Sequence, residues 1–165
     1  MADREWILAT VSRYERPLLA YVRGFLGEPE RSRDVVQDAF LQLCRLSERK
    51  RKALEPRLAP WLFALCRNRA LDILRKDKRM IASPTMAEDT AAEPDDATES
   101  LDSARAVREQ LARLPRQQSE AVRLKFEQGF SYREIADVMG LSESHVGVIL
   151  HQAMKTLREK LKALA

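Results

Sequence analysis

The sequence predicts an all-α fold of two small helical domains, residues 1–80 and 101–165, joined by a flexible acidic linker over residues 81–100. Three observations carry this. Apolar residues recur at steps of three or four through most of the chain, the period of a helix with one buried side. Residues 81–100, IASPTMAEDTAAEPDDATES, hold two prolines, six carboxylates, no Lys or Arg, and no large aliphatic residue after Ile81. Such a segment buries too little apolar surface to offset the entropy of ordering it. Finally, Ser131 to Leu161 reads as two capped helices meeting at a glycine.

Trp6 to Leu26 is helical in pattern, with Ile7, Leu8 and Val11 on one face and a second pattern from Pro17 through Leu18, Leu19, Val22 and Leu26. Proline suits a helix start and breaks an interior, so a kink or two short helices are expected, closed by Gly27 and Pro29. The next helix covers Glu30 to Leu46. Val35, Val36, Ala39, Phe40, Leu43 and Leu46 form its apolar stripe, leaving Asp34, Gln37, Asp38 and Gln42 opposite. SERKRKALEPRLAP then reads as a basic loop, because five of the six residues from Glu48 to Ala53 are charged and two prolines follow. Pro60 opens a helix reaching about Arg79, whose buried side includes Trp61, Leu62, Leu65, Cys66, Ala70, Ile73 and Leu74. Arg67, Arg69, Arg75, Lys76, Lys78 and Arg79 make this helix strongly basic. Cations complement a helix C-terminus, but six exceed what a terminus requires.

Beyond the linker, LDSARAVREQLARL gives a helix with Leu101, Val107, Leu111 and Leu114 as apolar positions. Past Pro115, RQQSEAVRLKFEQG continues with Val122, Leu124 and Phe126 until Gly129 ends it. Ser131 then caps a short helix, with Glu134 three residues on completing a capping box. Ile135, Ala136 and Met139 face inward, and Gly140 supplies the positive φ that stops the helix. Ser142 caps the last helix, where Val146, Ile149, Leu150, Ala153, Leu157 and Leu161 form one apolar side. This is the helix-turn-helix pattern, whose second helix enters the major groove of duplex DNA. Capped helix pairs are common in all-α proteins, so the motif by itself leaves DNA binding open.

Composition narrows the choice. A chain of 165 residues with 45% hydrophobic and 33% charged residues and a mean hydropathy of −0.41 is expected to be soluble. There is no run of 18 apolar residues and the N-terminus lacks the uncharged stretch of a signal peptide, so no membrane insertion and a cytoplasmic location are expected. The formal net charge is +4, but residues 1–80 carry 18 Lys and Arg against 11 Asp and Glu, and residues 101–165 carry 11 against 8. Two basic blocks flank an acidic strip, a layout suited to a polyanion such as nucleic acid, with another neighbour for the strip. Cys44 and Cys66 lie in apolar helical stretches without CxxC spacing or a nearby His, so both are expected as buried thiols. The only histidines, His145 and His151, fall on the last helix, with no nucleophile, phosphate loop or metal cluster. Neither an enzyme, a cofactor nor a metal site is expected.

Three stretches taken in order, DVVQDAFLQLCR, PWLFALCRNRALDILRKDKR and LPRQQSEAVRLKFEQGFSYREIADVMGLSESHVGVILHQAMKTLRE, resemble the bacterial sigma-70 family, and within it the small extracytoplasmic-function (ECF) group. The resemblance covers most of the chain. It implies an RNA polymerase specificity subunit, a sigma factor, that binds core polymerase and directs promoter recognition and transcription initiation. Residues 1–80 would be sigma region 2 and residues 101–165 sigma region 4. Core polymerase would be met through the clamp coiled coil of its largest subunit, docking on Asp34, Gln37, Asp38 and Gln42, and through its flap. An anti-sigma factor is a further partner of such proteins.

The resemblance also implies two promoter contacts. Arg67, Arg75, Lys76 and Arg79 would serve the minus-10 backbone, Asn68 would read a base edge, and Asp72 would contact DNA or orient an Arg. Trp61 is read as core rather than stacking platform, and the pocket for an extruded base is assigned to the loop between Ser47 and Leu58. At minus-35 the outward residues would be Ser142, Glu143, Ser144, His145, Gly147, Val148, His151 and Gln152, with Arg133 on phosphate and Lys155 far along the helix. The chain departs from the family here, since Gly147, Val148 and Ile149 occupy positions that are often basic or polar. A bidentate Arg on guanine is missing, which leaves His, Ser, Gln and apolar contacts to thymine methyls. The acidic linker would pass through polymerase near the RNA exit path. The alternative is a stand-alone helix-turn-helix regulator binding duplex operators, which has no need for DVVQDAF followed by a basic helix.

Overall fold

The computed structural model describes residues 2–80 and 102–164, and among these it contains eight α-helices, one 3-10 turn and no strand. The linker expected over 81–100 and the apolar position Leu101 lie outside the described residues. The chain divides into two compact units, residues 1–88 and 89–165.

The first unit comprises α1 (Ala2–Leu26), α2 (Pro29–Arg45), α3 (Glu48–Leu54), a 3-10 turn (Glu55–Arg57) and α4 (Leu58–Met80). Pro29 sits in the first turn of α2, where no backbone donor is needed, with Glu30 beside it and Arg45 in the last turn. Helices α1, α2 and α4 pack against one another pairwise. Leu18, Val22, Val35, Leu43, Leu62, Phe63 and Cys66 are shut off from solvent between them, each large aliphatic side chain contributing roughly 1.5–3 kcal/mol of burial. Tyr21 of α1 joins this core, its ring centroid 5.3 Å from Phe25 and 5.1 Å from Phe63.

Three expectations need correction. Pro17 neither ends nor splits α1, which runs through it as one helix. Proline removes one backbone donor, but Leu18, Tyr21, Val22 and Phe25 beyond it and Thr10 before it are all buried, and that packing keeps α1 continuous, against the expectation of two short helices. The basic loop is a capped helix and a 3-10 turn. Ser47 Oγ accepts from Lys50 N at 3.3 Å, ERKRKAL contains good helix formers, and Pro56 falls in the opening turn of the 3-10 segment. Cys44 is exposed rather than buried, because it lies one residue past the stripe that buries Val36, Ala39, Phe40 and Leu43.

The second unit comprises α5 (Asp102–Arg113), α6 (Arg116–Phe126), α7 (Tyr132–Met139) and α8 (Glu143–Ala163). Helix α8 packs against each of the other three. Leu124, Ile135, Val146 and Ala153 are fully buried at their meeting, so the last helix is the spine of this unit. Val107 and Phe126, expected as apolar core positions, are exposed at 37% and 63%.

Candidate nucleic-acid interface

The turn between α7 and α8 is set by hydrogen bonds that the local sequence supplies. Ser131 Oγ accepts from Glu134 N at 3.1 Å and Glu134 Oε1 accepts from Ser131 N at 3.0 Å, a complete capping box. Gly140 takes φ 68° and its N–H, with that of Leu141, closes on the Ala136 carbonyl. Ser142 Oγ accepts from His145 N at 3.1 Å and starts α8. With the entry of α8 fixed, Val146, Ile149, Leu150 and Ala153 face the core as expected. Ser142, Glu143, Ser144, His145, Val148, His151, Gln152 and Lys155 are exposed, and so is Arg133 on α7.

Gly147 is half-buried, and what covers it is Tyr132. A Cβ built at Gly147 would lie 3.7 Å from Tyr132 Cε2. Lys125 Nζ stands 5.4 Å from the centre of the same ring and donates to the Phe130 carbonyl at 3.4 Å. Lys125, Phe126, Tyr132, Gly147, His151 and Lys155 thus border an open groove of about 370 Å³ beside α8. Sequence reasoning missed Lys125, Phe126 and Tyr132 as surface groups. The available signal was an aromatic residue on either side of the Gly129 turn.

On α4, Asn68, Asp72, Arg75, Lys76 and Arg79 are exposed and fall at helical spacing on one face, while Arg67 is half-buried. Arg75 Nη1 lies 3.6 Å from Asp72 Oδ1, a loose surface pair worth roughly 0–1 kcal/mol. Asp77 receives Arg31 Nη2 at 2.9 and 3.2 Å, tying the end of α4 to the start of α2. Trp61 is half-buried. On α2, Asp34, Gln37, Asp38 and Gln42 form an exposed row with Leu41, 52% exposed, inside it. The spacing of Leu41 from Gln37 and Asp38 puts it in the polar row despite its apolar side chain. Burial pushes the Cys66 thiol up to about 12. Among the described residues no group of three or more His, Cys, Asp or Glu could hold a metal ion.

Comparison with known proteins matches a family model to each unit. The description Sigma-70 region 2 matches residues 10–80, and Sigma-70, region 4 matches residues 104–157. The chain belongs to the sigma-70 family. The sigma factor is 34% identical over 153 residues to RNA polymerase sigma factor CarQ of Myxococcus xanthus, covering 87% of this chain and 84% of that one. It is 26% identical over 166 residues to ECF RNA polymerase sigma factor SigL of Mycobacterium tuberculosis, covering 99% and 93%. In fold it resembles the sigma factor RpoE of Bartonella quintana, solved in complex with the anti-sigma factor NepR, with a TM-score of 0.70, 24% identity and 98% coverage of both chains. The sigma factor is therefore an ECF RNA polymerase sigma factor, which binds core polymerase and directs promoter recognition at transcription initiation. The stand-alone regulator is not favoured.

Proposed function

We propose that this sigma factor divides promoter recognition between its two units. In the first, α2 docks on the clamp coiled coil of the polymerase largest subunit through Asp34, Gln37, Asp38 and Gln42, with Leu41 supplying an apolar contact within that row. The face of α4 bearing Asn68, Arg75, Lys76 and Arg79 meets the minus-10 strand, with Arg67 at its edge, Asp72 orienting Arg75, and α3 with its 3-10 turn forming the pocket for the extruded base. The observation that carries this reading is that α2 and α4 pack by their apolar sides, leaving the acid and amide row and the cation row both on solvent.

In the second unit, the start of α8 reads the minus-35 major groove through Ser144, His145, Val148, His151 and Gln152, with Glu143 at the helix entry, and Arg133 and Lys155 take phosphates. Val148, 54% exposed, suits a thymine methyl. The polymerase flap is the protein partner of this unit. Residues 81–100, with six carboxylates and no cation, run near the RNA exit path as a polyanion mimic. An anti-sigma factor is the regulatory partner, in line with the Bartonella complex. No described helix is long and apolar enough to cross a membrane. On the reading proposed, the protein works in the cytoplasm, by binding rather than catalysis.

The test is multi-round transcription in vitro with purified protein, bacterial core polymerase and a genomic promoter library, followed by sequencing of transcript starts. Discrete starts that depend on the protein and share two upstream sequence blocks are expected. No starts, together with tight duplex binding by the protein alone, would return the stand-alone regulator.

A further inference from the structure

Arg51 is the buried member of a basic helix. Its neighbours Arg49, Lys50 and Lys52 on α3 are exposed, whereas Arg51 itself is 6% exposed. Its Nη2 lies 2.6 Å from both carboxylate oxygens of Asp3 at the start of α1, 48 residues away, and its Nη1 donates to the Cys44 carbonyl at the end of α2 at 3.2 Å. Nε is buried without a hydrogen-bond partner among the described residues. One planar group therefore joins the start of α1, the end of α2 and α3.

Burying a cation is expensive, and an apolar side chain of similar volume commonly stabilises such a position as well or better. What a guanidinium adds is direction, because its donors lie in one plane at fixed angles and two of its nitrogens are already engaged. The arrangement fixes where α3 sits and therefore where its exposed side chains point. We propose that Arg51, held by Asp3, is a positioning residue for minus-10 readout, which sets the segment from Ser47 to Leu58 in its base-reading geometry before DNA arrives. This rests on the assignment of the extruded-base pocket to that segment. Preorganisation of this kind raises discrimination because a wrong base cannot be accommodated by moving the pocket.

The test uses holoenzyme assembled from core polymerase and the full-length chain, with forked promoter DNA whose single-stranded minus-10 bases are substituted one at a time. A single wrong base in a recognised site costs roughly 5- to 150-fold in affinity. With Asp3→Asn and with Arg51→Lys, that ratio at the extruded base is expected to fall by about fivefold or more, while affinity for core polymerase holds and Asp3→Glu retains most of the discrimination. Asp3 is at a part-exposed site, so Asp3→Asn keeps the test decisive if Arg51→Lys does not fold. Unchanged discrimination in folded Asp3→Asn overturns the proposal. So does an equal loss of opening on every template, which is what a merely structural tie would give. Replacing the exposed Arg49, Lys50 and Arg57 together by alanine separates the two layers. If that variant alters discrimination and the Asp3 and Arg51 variants do not, the positioning role alone fails. If none alters it, the pocket assignment fails and takes the positioning role with it.

Discussion

Gly147→Ala should make the second unit more stable. Gly147 lies inside α8 and is not among the glycines at positive φ, so it gains nothing there from its conformational freedom. In a helix interior it costs about 0.8–1.0 kcal/mol relative to alanine. The added methyl would sit 3.7 Å from Tyr132 Cε2 and 4.0 Å from Cδ2, ordinary van der Waals separations, so no clash subtracts from that gain. For a unit of this size about 1 kcal/mol raises Tm by roughly 4–8 °C. The assay has an internal control, because the chain's two tryptophans, Trp6 and Trp61, both lie in the first unit. Far-UV circular dichroism follows both units and tryptophan fluorescence follows one. The dichroism transition of the second unit should move up while the fluorescence transition stays in place. A lowered or unmoved transition would refute the reasoning and show that the Tyr132 ring needs the space that glycine leaves.

Ser131→Ala and Ser142→Ala should each cost about 1 kcal/mol through loss of a cap, with Ser131→Ala also stranding Glu134, and both read as a lower dichroism transition at constant fluorescence. Gly140→Ala meets nothing within 4 Å, so its penalty is the backbone's alone, about 1–2 kcal/mol at φ 68°, and Gly140→Asn should cost less in the same melts. Iodoacetamide near neutral pH should alkylate the exposed Cys44 and leave Cys66 untouched in the folded protein, as read by mass spectrometry. The Cys66 thiol keeps its proton to about 12 when folded and releases it near 9.0 when unfolded. Between these values the unfolded state binds fewer protons, so this contribution to stability is complete below pH 9 and is lost as pH rises toward 12, by up to about 1.4 kcal/mol per pH unit. Urea unfolding followed by tryptophan fluorescence should show that slope, and Cys66→Ala should remove its share.

What was legible in the sequence was what periodicity and capping chemistry decide. The capping box at Ser131 and Glu134, the stop at Gly140 and the inward set Val146, Ile149, Leu150 and Ala153 all follow from local spacing, and the structure realises each of them. The misses share a physical origin in tertiary contacts. Pro17 is tolerated because the core grips α1 on both sides of it, a fact that no window around residue 17 contains. Arg51 looked like one more solvated cation among charged neighbours, since its partner Asp3 lies 48 residues away. The run of charge at Glu48 to Ala53 masked a helix whose cap, Ser47, was present in the sequence. Cys44 keeps apolar company in sequence, but its angle on α2 sets it outside the buried stripe. The polar rows on α2 and α4 were visible, whereas the groove beside Gly147 required three elements to be brought together first.

The core of the first unit has a consequence for how the chain emerges from a ribosome. Tyr21 on α1 finds Phe63 only when α4 exists, and Leu62, Phe63 and Cys66 are central to what α1 and α2 bury. For most of the synthesis of residues 1–60 the nascent chain therefore holds two amphipathic helices whose apolar sides have no full covering. At bacterial elongation rates of about 5–20 residues per second, that exposure lasts on the order of seconds before the third helix clears the tunnel. The second unit meets a similar delay, because α5, α6 and α7 all pack on its spine, α8, which is made last. The unit carrying the proposed polymerase-docking face is thus exposed to nascent-chain chaperones until α4 emerges, and substitutions at Leu62 or Phe63 should lower its yield in cells before they alter any assay on the purified protein.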